Sequence, residues 1–248
     1  MEAIVRGHKP SKPQPAITIP SEWSSTESAP HVLVEAPPLR KRIHEDALVL
    51  PCAVEPPQLR VPPEMLRALW AGSDQRVVVV DFETTNFGDA SIVEIGAVEV
   101  IGSSLTGAFF HQVVNPGKKC SPFATAVHGL SDECLACSPI IESVLPHFIR
   151  FAQSREEHPP VLVFHNALFD ERILKGELLR AQISFQFETV CTLQLFRRLY
   201  PKQAANLESC CSFFGIQRQQ RHNALHDAAA SAHVLLRMKS AFSDLVDS

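Results

Sequence analysis

The 248-residue chain carries 23 Lys and Arg against 27 Asp and Glu, giving a net charge of −4, a pI near 6.3 and a mean hydropathy of +0.02. That length suffices for one good core within one or two domains. The charge balance excludes a globally basic nucleic-acid binder, though not a nuclease that grips only a chain end.

No apolar run is long enough to cross a bilayer, so no membrane partner is expected. The residues after Met1 are interrupted by Pro10, Pro13, Pro15 and Pro20 and lack the apolar core of a secretion signal. Seven cysteines, an odd number without an export signal, read as reduced thiols. An intracellular protein is expected, with cytoplasm, nucleus and organelle all left open. Residues 1–75 hold 12 of the 19 prolines, and all 15 phenylalanines lie beyond residue 80. Such a segment cannot bury enough apolar surface to offset its ordering entropy. Residues 1–60 are therefore expected to form a Pro-rich, largely disordered tail, and a protein partner could dock there. Its short cluster Leu39-Arg40-Lys41-Arg42 reads as solvated charge rather than a nuclear address.

Residues 61–75 read as a short helix and linker. Pro62-Pro63 suits a first helical turn, and Met65, Leu66, Leu69 and Trp70 fall on one side. The folded domain is expected over 76–248. Val77-Val78-Val79-Val80 is a buried β-branched strand running into Asp81-Phe82-Glu83-Thr84-Thr85. Ile92 to Ile101 and Leu105 to Val114 predict two more strands joined by a turn at Gly102-Ser103-Ser104, and Asn115-Pro116-Gly117 breaks the sheet. After a loop and short helices, Ile140 to Phe151 has helical spacing. Val161 to Phe164 predicts a fourth strand, Ala167 to Ala181 a helix and Thr189 to Cys191 a fifth strand. Helices follow over Leu193–Leu199, Leu207–Phe214 and Ala224–Phe242. Hairpin strands followed by alternating strands and helices describe an α/β domain with a mixed sheet.

Asp81 and Glu83 lie two apart on the first strand, so both point to one face at its C-terminal end, where open α/β sheets place ligands. Like charges this close raise one another's pKa unless a cation neutralises them. The pair alone reads equally well as a polar strand end. Asp170 lies one turn inside the helix after strand four, with Asn166 placed to cap that helix through its side chain. Alone, Asp170 is a carboxylate favoured by the helix dipole. Asp227 precedes small residues that let its helix pack closely on a sheet, and His222 lies five residues before it, at or just before the helix start.

Together these segments resemble the DEDDh (DnaQ-like) 3′–5′ exonucleases, the family that includes the proofreading subunit of bacterial DNA polymerase III. Asp81-Phe82-Glu83-Thr84-Thr85 is similar to its first motif and His165-Asn166-Ala167-Leu168-Phe169-Asp170 to its second. His222-Asn223-Ala224-Leu225-His226-Asp227-Ala228 resembles the third, with the histidine spacing that separates this subgroup from the tyrosine subgroup. Val127-His128-Gly129-Leu130 followed by Pro139 matches the linking region. Asn86 departs from the glycine many members carry there, which affects loop geometry rather than the acids.

The resemblance implies an RNase H-like fold in which a mixed five-stranded sheet flanked by helices brings Asp81, Glu83, Asp170 and Asp227 to one site. Their motifs offer no cationic side chain placed among them, and an all-oxygen donor set suits two hard divalent ions, Mg²⁺ or Mn²⁺, whereas zinc would favour His and Cys. Two ions about 4 Å apart can hold the attacking and leaving oxygens of a phosphodiester displacement. His222 becomes the candidate general base, since an imidazole titrates near neutrality; His226 is the rival. Thr84, Thr85 and His128 are implied near the terminal nucleotide, and Phe87 and Phe169 offer either base stacking or rim packing.

The Cys134-Leu135-Ala136-Cys137 spacing lacks a second ligand pair and reads as two ordinary thiols. The expected activity is metal-dependent 3′→5′ exonucleolysis of DNA or RNA, releasing nucleoside 5′-monophosphates. The alternative is a non-catalytic module that binds a polymerase or another protein. A binding module has no physical need to keep four mutually repelling acids and a histidine at this spacing, which favours the enzyme. From Arg76 onward 15 Lys and Arg face 18 Asp and Glu, a balance suited to a single-stranded end rather than to tight grip on long duplex.

Overall fold

The computed structural model describes residues 75–86, 88–153, 159–218 and 220–246, with the backbone alone for 242–246. The expected tail, the helix near residues 62–70 and Phe87 lie outside the described residues. Five strands, β1 (Arg76–Thr84), β2 (Ile92–Ile101), β3 (Ser104–Val113), β4 (Val161–Phe164) and β5 (Glu188–Cys191), form one sheet in the order β3-β2-β1-β4-β5. The β1–β2–β3 meander is antiparallel, while β4 pairs parallel with both β1 and β5. The mixed five-stranded sheet flanked by helices is thus the architecture observed.

Both faces of the sheet are covered, which is why β1 opens with four valines in a row. Val77 and Val79 point to one face and Val78, Val80 and Phe82 to the other. On the second face pack α3 (Ile141–Ala152) and α4 (Ala167–Arg180), whose Phe148, Leu145, Ile173 and Leu174 are buried against Phe82, Phe110 and Phe164. On the first face lie α5 (Thr192–Leu199), α6 (Leu207–Phe214) and the long α7 (Ala224–Val246). Ala228, Ala229, Ala230, Ser231 and Ala232 of α7 are all buried, so the run of small residues brings this helix close to the sheet, as expected.

The approach is tightest at Gly96 of β2. A Cβ there would lie 2.1 Å from the Ala224 carbonyl carbon and the Leu225 nitrogen. Two short helices, α1 (Pro122–His128) and α2 (Asp132–Ala136), occupy the connection after β3, each capped by a serine hydroxyl, Ser121 and Ser131. Asn166 does not cap α4 in the way its residue type predicts. Its ψ of 65° departs from the extended backbone of the side-chain-capped starts at Ser121 and Ser131, its side chain makes no bond to the first-turn amides, and its carbonyl accepts from Phe169 and Asp170. Among the described residues no helix is long and apolar enough to cross a membrane.

Candidate active site

Strand alternation carries Asp81 and Glu83 onto the face shared with Val77 and Val79, the face covered by α7. Asp227 sits in the first turn of α7 and Asp170 in the first turn of α4, which begins at the C-terminal end of β4 beside β1. The four acids thus reach one place from three elements. Loss of solvent, then the charge of Asp170 and Asp227, then Glu83, hold the Asp81 carboxyl well above the usual carboxylate range. Glu83 is pushed up to about 8 by burial and by neighbouring acids. Burial alone lifts Asp170 to about 7.

His222 adopts a left-handed backbone with φ 58°, a region that histidine tolerates better than most residues. This turn directs its N–H to Asp227 Oδ2 at 3.2 Å, immediately before the helix begins. The side chain is exposed, and Glu83, His222 and Asp227 each offer one ligand atom within 4.8 Å of the others. His226 is buried instead, with Asp227, His111 and Glu94 as its charged or titratable neighbours and no hydrogen-bond partner for Nδ1 among the described residues. His222, rather than His226, is the histidine grouped with Glu83 and Asp227.

Two groups that the motifs do not contain join the cluster. Arg218 donates to Asp227 Oδ1 at 2.5 Å and to Glu208 Oε2 at 3.1 Å, so a cation is present beside the acids after all. It offsets part of the rise that burial imposes on Asp227. Glu94 stands opposite Glu83 in the β1–β2 ladder, on the same face and 2% exposed. The sequence did not single it out, because β2 carries a second glutamate, Glu99.

The residues expected to meet the nucleotide are placed unevenly. Thr85 is fully buried; its hydroxyl accepts from the Ser91 N–H and its carbonyl from the Ser121 N–H, so it shapes the turn after β1. Thr84 is half-buried and donates to the Asn86 carbonyl. His128 Nδ1 accepts from the Leu130 N–H at 3.0 Å, which puts the proton of the neutral ring on Nε2. That atom is buried without a partner among the described residues, and the ring feels the charges of Glu94 and His222. Phe169 packs against the second core and beneath the Arg172 guanidinium, 5.6 Å from ring centroid to Cζ. Cys134 and Cys137 are exposed while Cys210 and Cys211 are buried. None of these thiols belongs to a candidate metal group among the described residues.

The sequence pattern of the exonuclease family (RNase_T) matches residues 78–235, most of the described chain. The chain belongs to the exonuclease family. Among its relatives, the DNA polymerase III subunit epsilon of Pasteurella multocida is 35% identical over 185 residues, covering 69% of this chain and 71% of the relative. The subunit of the same name from Haemophilus influenzae is 34% identical, with 69% and 70% covered. Exonuclease X, solved with 5′ overhanging duplex DNA, superposes with a TM-score of 0.56 at 27% identity over 66% of this chain and 92% of its own. The nuclease domain of 3′hExo, solved with rAMP, shares the fold at 16% identity, with a TM-score of 0.59 over 68% and 93% of the two chains. The chain is accordingly a 3′–5′ exonuclease of the type its motifs resemble.

Proposed function

We propose that this exonuclease hydrolyses the terminal phosphodiester at the 3′ end of a single strand of DNA or RNA and releases nucleoside 5′-monophosphates. The observation that carries this reading is the grouping of Glu83, His222 and Asp227 within 4.8 Å, with Asp81 on the same strand face and near enough to feel the charges of Asp170 and Asp227. Four acids that repel one another in a solvent-poor site fit hard divalent cations, because the cation's charge supplies what desolvation removes. Asp81, Glu83, Asp170 and Asp227 would hold two Mg²⁺ or Mn²⁺ ions, which supply Lewis-acid polarisation of the phosphate and neutralise developing charge when bound.

His222 takes the proton of the attacking water. Its exposure leaves the ring open to that water, and its N–H bond to Asp227 fixes the backbone from which the ring projects. The turn at Thr84-Thr85 presents a fixed rim to the terminal nucleotide, held by the three hydrogen bonds of Thr85 to Ser91 and Ser121. His128 contributes an unpaired Nε2–H donor beside His222. Phe169, packed against the second core and the Arg172 guanidinium, is given rim packing rather than base stacking.

The reading is tested by pairing Mn²⁺ calorimetry with a gel assay on 3′- and 5′-labelled oligonucleotides. His222→Ala should keep metal binding and lose about 10²–10⁴-fold in turnover, whereas Asp81→Ala should lose both. Equal loss of metal in the two variants contradicts the role given to His222, and absence of shortening with every substrate contradicts the reading as a whole.

A further inference from the structure

Glu94 is a buried carboxylate near the start of β2, a strand whose other side chains except Glu99 are apolar, and it lies outside the three acid-bearing segments. Placing a charge there, opposite Glu83 and near Asp81, is unfavourable unless each oxygen is well bonded. Both oxygens are occupied. Oε1 accepts from Asn223 Nδ2 at 2.8 Å and lies 2.6 Å from His111 Nε2. Oε2 accepts from the Ala224 backbone N–H at 3.1 Å. Asn223 passes the connection on, since its Oδ1 accepts from the His226 N–H at 3.2 Å and its carbonyl from the Asp227 N–H at 3.0 Å.

The opening turn of α7 is therefore fastened to the sheet by one carboxylate reaching across from β2. A helix start leaves amide donors without intrahelical partners; here the Glu94 carboxylate takes that of Ala224 and the Asn223 side chain that of His226, while the Asp227 N–H makes the first i→i−4 bond to the Asn223 carbonyl. Gly96 lets the same turn lie against the strand, so the attachment fixes both height and rotation. His222 and Asp227 are the residues on either side of this fastening.

We infer that Glu94 is a positioning residue for hydrolysis: through Asn223 and Ala224 it sets where the His222 ring and the Asp227 carboxylate stand relative to Asp81 and Glu83. The inference rests on the reading of His222 and Asp227 given above.

The test uses the full chain carrying Glu94→Gln, and the double variant Glu94→Gln with Asn223→Asp. Glutamine keeps the acceptor for the Ala224 N–H but sets an amide donor against the Asn223 amide. Aspartate at 223 turns that clash back into a donor–acceptor pair, still accepts from His226 and restores the charge. Partners of this kind are worth about 10–100-fold in metal affinity or activity. Glu94→Gln should lower kcat by a factor in that range with KM changed less than about threefold. It should also weaken calorimetric Mn²⁺ binding about tenfold, and the double variant should recover most of both.

Turnover and Mn²⁺ affinity both within twofold of the parent in Glu94→Gln would overturn the inference. So would a loss that the double variant leaves unchanged while melting temperatures fall in step. His222→Ala run alongside separates the two levels. Full turnover in that variant means the site reading has failed, whereas lost turnover there with unimpaired Glu94→Gln removes only the role of Glu94.

Discussion

Asp227 is held between burial, which favours its protonated form, and the Arg218 guanidinium, which favours the carboxylate. Both side chains are 8% exposed, and Arg218 bridges onward to Glu208, which also meets Arg221. Removing one partner of a buried pair leaves the other charge uncompensated. Arg218→Ala should therefore cost about 3 kcal/mol in urea unfolding followed in the presence of chelator. Part of that loss should return on adding Mg²⁺, because the cation can replace the missing positive charge. Arg218→Lys should recover less than half, since a point charge cannot span Asp227 and Glu208 as a planar fork does. The four acids and His222 of the proposed site can be picked out in the sequence because each sits in a short segment with its own spacing. Arg218 and Glu94 were not, since an ion pair and a cross-strand register exist only after folding. The burial of Thr85 was equally invisible, because a threonine beside a strand end reads the same whether its hydroxyl faces solvent or a neighbouring amide.

Gly96 decides how near α7 can come to β2, and the contact is with backbone atoms of Ala224 and Leu225 that have no side-chain freedom to yield. Gly96→Ala should displace the start of the helix and cost about 2–3 kcal/mol by chemical denaturation. Because His222 and Asp227 flank that turn, exonuclease turnover should fall more than the loss of stability explains when assayed well below the unfolding transition. Most elements of this domain were readable along the chain. β1 and β4 are dense in branched apolar residues, and α3 shows a clean 3.6-residue spacing of Ile141, Val144, Leu145, Phe148 and Ile149. The Asn166 cap was misread because residue type sets a preference while the backbone at that residue decides where the following amides lie. The near-contact at Gly96 left only a faint trace, a glycine inside a strand, which marks close backbone approach without naming what approaches.

For the molecule as a whole, the acid cluster opposes folding at neutral pH. Glu83 keeps its proton up to about 8 and Asp170 up to about 7 when folded, whereas the unfolded chain releases both near 4. Between those limits the folded state binds more protons, so stability falls as pH rises. His165 and His233 act in the opposite direction. Burial holds both near 4 in the folded state, and the unfolded chain takes up their protons as pH drops below about 6.5, so stability falls toward acid. In chelator, the two sets nearly cancel below about pH 5.5 and the acids prevail above it, so the melting temperature should change little there and decline toward pH 8. About 1 kcal/mol corresponds to about 2–4 °C at this size, so a decline of several degrees is expected by calorimetry. Saturating Mg²⁺ should flatten the alkaline decline and do little at pH 5.5, where the acids are protonated. A cation effect equal at both pH values would contradict this. The order of the parts along the chain carries one more consequence. Asp81 and Glu83 belong to the first strand, whereas His222 and Asp227 arrive with the last helix described. If the proposed site is right, a nascent polypeptide stays inert until α7 has been made and has docked on the sheet.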